Sequence, residues 1–239
     1  MLAKTQGIVL RSFNYSDTSI IAHIYTKDFG TLAYLVQGAR GKRAKNKANF
    51  FQSLSLIEVV GYRKENQSLG KVREVKLLEV SNGIQVNFYK TTIALFTAEV
   101  LYKTLKEEEP NVALYEFLHQ SIVWLNHVET GYANYPLFLL AQLSRFLGFK
   151  PTEEEGSVFD LIEGHMTSKT PLHKHFLAGG LAQVFVNLFP KDIEAISELK
   201  LNQTKRRILL HALLNFYQLH VHDFGEVKSL EVLESVMDD

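Results

Sequence analysis

A cluster of basic residues follows the third of several short apolar segments near the N-terminus. The window between Asp28 and Glu58 contains no acidic residue. Lysine and arginine spaced along a flexible loop neutralise phosphates, and aromatic faces beside them can stack on unpaired bases. Phe50 and Phe51 follow the cluster directly, so the pattern predicts binding to nucleic acid without sequence preference. The five cations occupy near-alternate positions: Arg40, Lys42, Arg43, Lys45 and Lys47.

The same residues also allow a structural interpretation, in which the loop is simply solvated and Phe50-Phe51 begin a buried strand. Further cations could extend the basic face, namely Arg63, Lys64 and Arg73. A second basic run, Lys205-Arg206-Arg207, is predicted at the start of a helix, where positive charge opposes the helix dipole. An unfavourable charge held there suggests an acidic partner or a phosphate.

No catalytic centre or metal site is predicted. With zero cysteines the chain has no thiolate ligands, disulfides or cysteine nucleophile. The histidine pairs His173/His175 and His220/His222 have a spacing of two, whereas ligands on one helical face need a spacing of three or four. No Walker loop, GxGxxG, GxSxG or HExxH sequence occurs. Acidic triplets at 107–109 and 153–155 leave a metal-dependent nuclease open only as a remote alternative.

Overall charge hides an asymmetry between the two parts of the chain. The 239 residues carry 26 basic and 26 acidic side chains, but residues 1–80 hold 13 basic against 6 acidic ones. The remainder is correspondingly acidic, so a partner rich in phosphate is expected at the N-terminal part. No apolar stretch reaches the length of a membrane span or a signal peptide, and a cytoplasmic location is expected.

Residues 6–80 have the composition of strands separated by turns. Five short strands in about 80 residues predict a small closed barrel of the OB type, although an SH3-like barrel fits nearly as well. From residue 81 the apolar residues recur at helical spacing. The fold class is therefore α+β, with a barrel domain at 1–80 and a helical domain at 81–239. The predicted strands cover 7–13, 18–26, 31–37, 52–62 and 71–80.

Capping and stop signals divide the helical part. Pro110 ends a helix that begins near residue 81, Asn111 and Asn202 cap two others, and Thr170-Pro171 is predicted to open one that continues to Phe189. A further helix is expected at about 135–147 and a last one at 226–236. Between them, near 152–168, a hairpin insertion at 157–166 is predicted to turn at Glu163-Gly164.

Four short N-terminal strings stand out by their order and spacing: Thr5–Arg11, Tyr15–Ile20, Thr26–Gly30 and Gln37–Lys42. They resemble the N-terminal domain of the RecO family of bacterial recombination mediators. The C-terminal segment 207–230, with Phe216-Tyr217, His220 and Val227-Lys228-Ser229-Leu230, is similar to the family's closing helices. The resemblance spans almost the whole length.

The resemblance implies an OB-fold domain followed by helices, and a mediator rather than an enzyme. Such proteins bind single- and double-stranded DNA, anneal complementary strands, contact the acidic tail of single-strand-binding protein, and join RecR to load RecA. Mapped onto this chain, Arg40, Lys42, Arg43, Lys45 and Lys47 become the leading DNA contacts. Lys205, Arg206 and Arg207 become a candidate patch for a partner tail or DNA.

One departure concerns a four-cysteine zinc module that many members carry after a Gly-Tyr/Phe-x-Pro turn. Here that turn is Gly148-Phe149-Lys150-Pro151, and no cysteine follows it. The hairpin is therefore expected to keep its shape by packing Val158, Phe159, Leu161 and Ile162. No cofactor is expected.

The resulting hypothesis is a cytoplasmic, nucleoid-associated mediator of DNA repair and recombination. The alternative is an adaptor that binds RNA or an acidic protein and has no direct activity on DNA.

Overall fold

The computed structural model describes residues 2–39, 47–62, 69–106, 109–152, 154–189 and 191–237. The chain divides into two compact units, residues 1–127 and 128–239. In its described residues the first unit contains five strands, three α-helices and one short 3-10 helix, so it extends beyond the predicted barrel domain at 1–80. The domain boundary that the sequence predicts at residue 80 stays a prediction.

Five strands of the first unit close into a barrel in the order β1-β2-β3-β5-β4, with β1 pairing to both β2 and β4. β3 and β5 run parallel, and the other pairs are antiparallel. This connectivity is that of an OB-like barrel, which confirms the predicted fold class and decides against the SH3-like alternative. The strands are β1 (Leu2–Asn14), β2 (Ile20–Thr26), β3 (Gly30–Val36), β4 (Leu56–Tyr62) and β5 (Leu69–Leu77).

The barrel core follows the two-residue alternation of the strands. Ala22 and Ile24 of β2 point inward beside Leu32 and Tyr34 of β3, and all four are buried. A Cβ placed on Gly61 would lie 2.7 Å from a ring carbon of Tyr34, and the same holds for Gly70. Glycine at these two positions therefore leaves the room that the tyrosine ring occupies.

Replacing Gly61 with alanine should destabilise the barrel by about 1–3 kcal/mol, because the added methyl group overlaps the Tyr34 ring in a closely packed core. The urea midpoint of the full chain measures this change. Gly180→Ala is the matched control, since a Cβ there meets nothing within 4 Å. An equal loss of stability in both variants would contradict this packing argument.

Three helices complete the first unit: α1 (Asn82–Val86), α2 (Phe88–Thr104) and α3 (Val112–His127). The single helix predicted from residue 81 is thus divided at Asn87, which has extended backbone angles. The Asn87 side chain accepts a hydrogen bond from the Lys90 N–H and restarts the helix. Asn111 caps α3 as predicted, accepting from the Leu114 N–H at 2.9 Å.

The second unit packs helices with one small sheet. Asn202 caps α7 as predicted, accepting from the Lys205 N–H at 2.9 Å. The helices are α4 (Tyr135–Phe146), α5 (Gly180–Val186), α6 (Ile193–Ser197), α7 (Gln203–His220) and α8 (Ser229–Met237). The strands are β6 (Val158–Asp160), β7 (His165–Thr167) and β8 (Phe176–Ala178), in the order β7-β6-β8.

The hairpin at 157–166 is confirmed, and its turn contains Gly164 with a positive φ of 74°. The prediction that a helix begins at Thr170-Pro171 is wrong. Phe176–Ala178 pair with β6 instead, and a helix begins only at Gly180. The edge of β6 satisfies the backbone groups of this segment, which overrides the local helix-start signal.

Candidate nucleic-acid interface

The two ends of the predicted basic loop are anchored in the barrel core. On one side Ala39 is buried after β3, and on the other Phe51 is buried in a short 3-10 helix, Lys47–Phe51. Four of the predicted contacts, Arg40, Lys42, Arg43 and Lys45, lie outside the described residues, and so do Arg63 and Lys64. Lys47 opens the 3-10 helix.

The two phenylalanines at the end of this loop belong to the core. Phe51 is buried, and Phe50 is partly buried and packs against the same cluster. They therefore support the structural interpretation of Phe50-Phe51 over base stacking. The predicted start of the strand at residue 52 is wrong, because the chain turns there and β4 begins at Leu56.

A groove of about 500 Å³ lies in the first unit beside this 3-10 helix. Ser12 on its wall donates a hydrogen bond to the Phe51 carbonyl at 2.8 Å. Hydroxyl and amide side chains line it together with apolar residues that include Ile84 and Ala94, and the apolar atoms contribute the larger share of its surface. Arg11 supplies the positive charge of the groove. The polar lining comprises Ser12, Gln52, Ser53, Ser55, Ser81, Gln85 and Thr91.

At the end of β1, Arg11 forms a cluster with the rings of Phe13, His23 and Tyr102. Its guanidinium carbon lies 5.9 Å from the ring centre of Phe13 and 5.5 Å from that of Tyr102, within the range of cation–π attraction. His23 stacks on Phe13 at 6.0 Å and meets Tyr102 edge-on at 5.1 Å. Burial, together with the charge of Arg11, lowers the pKa of His23, so the imidazole is neutral at pH 7.

This cluster presents one permanent charge beside exposed aromatic surface, since Phe13 keeps 41% of its surface exposed. The arrangement suits a phosphate and a neighbouring base. Sequence reasoning missed it, although Arg11 and Phe13 are two residues apart and therefore share a strand face.

The remaining predicted cations have different surroundings. Arg73 is exposed on β5 and forms an ion pair with Glu74 at 3.3 Å. Lys205 is exposed at the start of α7. Arg206 donates to the Asn134 side chain and the Leu201 carbonyl, and Arg207 pairs with Glu234 at 3.3 Å. These contacts give the two arginines a structural role within the second unit.

The histidines support local structure. His173 Nε2 lies 3.1 Å from a carboxylate oxygen of Asp160, and His175 bonds to Asn215. His220 Nε2 donates to the Leu161 carbonyl at 2.9 Å. Within the described residues, no three histidine, aspartate or glutamate side chains converge on a metal position.

Apolar packing holds the hairpin that lacks cysteines. Val158, Phe159 and Leu161 are buried, as predicted, but Ile162 is 39% exposed, so the packing prediction is wrong for that residue. Phe159 contacts the rings of Phe185 and Phe216, with centroids 4.8 and 5.9 Å apart.

Asp160 closes the turn of this hairpin. One carboxylate oxygen accepts from the backbone N–H groups of Ile162 and Glu163 at 2.8 and 3.1 Å, and the other faces His173. Burial would raise the pKa of Asp160, but the two backbone hydrogen bonds and the charge of His173 outweigh it and lower the pKa. The folded hairpin therefore favours the charged carboxylate.

Replacing Asp160 with alanine should destabilise the second unit by about 1–3 kcal/mol at pH 7, because it leaves two turn N–H groups without their acceptor. The folded pKa lies below the ordinary 3.8. The contribution is therefore complete well above that value and is lost as the pH falls through it. Urea midpoints at pH 7 and pH 3.5 measure this, with Glu163→Ala as control. A deficit that does not shrink at pH 3.5 would contradict the role of the charge.

Comparison with known proteins decides the family. Residues 1–80 match the family described as Recombination protein O N terminal, and residues 85–231 match Recombination protein O C terminal. The chain belongs to the RecO family. RecO proteins act in DNA repair as recombination mediators and are not known as enzymes, in agreement with the sequence prediction.

Relatives named DNA repair protein RecO match over the full length. The protein from Bacteroides fragilis is 37% identical, and each chain is covered completely. Those from Phocaeicola vulgatus and Flavobacterium psychrophilum are 36% and 33% identical, with 99% of each chain covered. Membership of the RecO family therefore applies to both compact units.

Among solved structures, the chain resembles an asparaginyl-tRNA synthetase of Entamoeba histolytica at 11% identity, covering 66% of this chain and 35% of the other, with a TM-score of 0.28. A likeness this weak bears on neither fold nor function. In the described part of this RecO chain, no helix combines the length and apolar character of a membrane span.

Proposed function

We propose that this RecO-family protein binds single- and double-stranded DNA without sequence preference, anneals complementary strands, and helps to load RecA onto DNA coated by single-strand-binding protein. The observation that carries the proposal is the full-length match to DNA repair proteins of this family. The surplus of cations in residues 1–80 supports it.

The proposed binding mechanism uses charge and rings without reading base edges. Arg40, Lys42 and Arg43, with the neighbouring Lys45 and Lys47, neutralise phosphates. Such contacts release counterions and are independent of sequence. Arg11 adds a cation at the groove, next to the exposed ring of Phe13.

Annealing follows from the same surface. Two strands that occupy one neutralising surface repel each other less, because the protein cations screen their phosphates. This mechanism needs no cofactor and no bond-making residue.

The proposed protein partners are RecR, the acidic tail of single-strand-binding protein and, indirectly, RecA. Lys205 at the start of α7 is the candidate contact for an acidic tail, since Arg206 and Arg207 are engaged within their own unit. We place the protein in the cytoplasm and at the nucleoid, where its proposed substrate lies.

Fluorescence anisotropy of a labelled 40-nucleotide strand tests the DNA role. The five phosphate contacts of Arg40, Lys42, Arg43, Lys45 and Lys47 alone should give a slope of log K against log salt of about −3.5, which weakens binding about 100-fold between 50 and 200 mM salt, and each further contact steepens the slope. Strands of different sequence should bind alike. Absence of binding at low salt would overturn the direct role and favour the adaptor alternative.

A further inference from the structure

Helices of the first unit cover the outer face of β2 and β3. From β2, His23 meets the Tyr102 ring of α2, and the Tyr25 ring lies 6.4 Å from that of Tyr115 in α3. From β3, Thr31 donates a hydrogen bond to the Leu105 carbonyl at 2.6 Å. Oligonucleotides bound by OB folds ordinarily cross this face. In this protein the helices occupy that path.

The outer face of β1, β4 and β5 carries exposed apolar, aromatic and basic side chains. The strand registers align Leu2 with Tyr62 and Tyr62 with Lys71, so these residues form one row across three strands. All three are exposed, and the Tyr62 side chain keeps 52% of its surface accessible. Within the described residues, the side chain of Lys71 makes no ion pair or hydrogen bond. One row thus places an aromatic ring between an aliphatic side chain and a cation.

The adjoining positions on this face carry surplus positive charge. The carboxylate of Glu58 bonds to the ammonium groups of both Lys76 and Lys4, at 3.0 and 3.1 Å. The hydrogen bond from Lys76 has the largest effect in lowering the pKa of Glu58, and that from Lys4 lowers it further. The carboxylate is therefore charged at pH 7. Because one carboxylate is shared by two ammonium groups, the three side chains together have a net charge of one positive unit. Both lysine side chains remain about two-thirds exposed.

We propose that single-stranded nucleic acid crosses the barrel on the outer face of β1, β4 and β5, with a base stacked on Tyr62 and phosphates bound by Lys71, Lys4 and Lys76. Exposed rings that stack on bases, flanked by cations that follow the backbone, are the features of sequence-tolerant single-strand sites. The inference rests on the proposed DNA binding and specifies where on the barrel the strand lies.

The charge of this face favours nucleic acid over an acidic or apolar protein segment. Among the described residues of this face, the carboxylates of Glu58 and Glu74 are outnumbered by four cations: Lys4, Lys71, Arg73 and Lys76. An apolar protein partner would need more than Leu2 and Tyr62 as anchors. A strand of phosphates spaced along the face meets the cations of successive rows.

Tyr62→Ala in the full-length protein should weaken binding to a labelled single strand about 5- to 100-fold, the loss expected for one stacked base. Tyr62→Phe keeps the ring and should bind within about twofold of wild type. Lys71→Glu should reduce the magnitude of the salt slope by at least about 0.7. Lys200→Glu, the same change at an exposed lysine of the second unit, should leave both quantities unchanged.

A strand with abasic positions separates stacking from a loss of folding. Wild type and Tyr62→Phe should bind the abasic strand less tightly than the ordinary one, whereas Tyr62→Ala should discriminate less between them. If wild type binds with a salt slope but Tyr62→Ala and Lys71→Glu bind as wild type does, the proposed face is wrong and the DNA role stands. If wild type binds no DNA at low salt, both proposals fall.

Discussion

Simultaneous replacement of Arg40, Lys42 and Arg43 by alanine should weaken single-strand binding about 100-fold at 0.1 M salt, because three phosphate contacts and their released counterions are lost. The magnitude of the salt slope should fall by about 2 for the same reason. Anisotropy titrations of the full-length variant across a salt series measure both quantities. Base sequence should have no influence on either result, since phosphate contacts carry no sequence information.

The control for this variant removes three exposed lysines from the second unit: Lys169, Lys174 and Lys200. It lowers the net charge of the whole protein by the same amount and should leave the slope unchanged. Lysine in place of Arg40 and Arg43 keeps the charge and should restore most of the affinity. A slope that stays at the wild-type value after loss of Arg40, Lys42 and Arg43 would move the DNA contacts away from this loop.

The barrel could be predicted from the sequence because its signal is local. Inward residues such as Ile24 and Tyr34 alternate with half-exposed ones, and short turns separate the segments. The closed order and the parallel pairing of β3 with β5 then select the OB-like topology, which strand composition could not do.

Two features of the helical part differ from the prediction, one because of a distant strand partner and the other because of a local cap. Thr170-Pro171 has the residue types of a helix start, yet the chain after it adds β8 to the edge of β6. The break at Asn87 divides one apolar pattern into two helices, because the side chain of that residue caps the second.

The candidate DNA site could likewise be predicted only in part from the sequence. A run of cations is visible in the sequence alone, and the DNA contacts it predicts at residues 40–47 stay a prediction. The open row of Leu2, Tyr62 and Lys71 requires the register of three strands, and the covering of β2 and β3 requires the packing of α2 and α3. Neither follows from spacing along the chain.

Replacing Phe216 with alanine should destabilise the second unit by about 3–5 kcal/mol, the cost of removing a large aromatic side chain from a packed core. Phe216 of α7 is fully buried, and its ring meets those of Phe149, Phe159 and Phe185 at centroid distances of 5.4 to 6.0 Å. The loss of these contacts should raise hydrogen exchange in peptides from β6, α5 and α7. Phe88→Ala, at a phenylalanine that is 70% exposed, should change stability by less than about 0.5 kcal/mol.

The same ring cluster explains how a hairpin without cysteines keeps its shape. Phe159 connects β6 to Phe185 and Phe216, and Asp160 fixes the turn through backbone hydrogen bonds. If these contacts replace a metal, adding a chelator should leave the urea midpoint of the wild-type chain unchanged, while Phe216→Ala lowers it. A urea midpoint that drops with chelator would assign the stability of the hairpin to a bound ion. The same conclusion would follow if Phe216→Ala were as stable as wild type and added zinc raised its midpoint further.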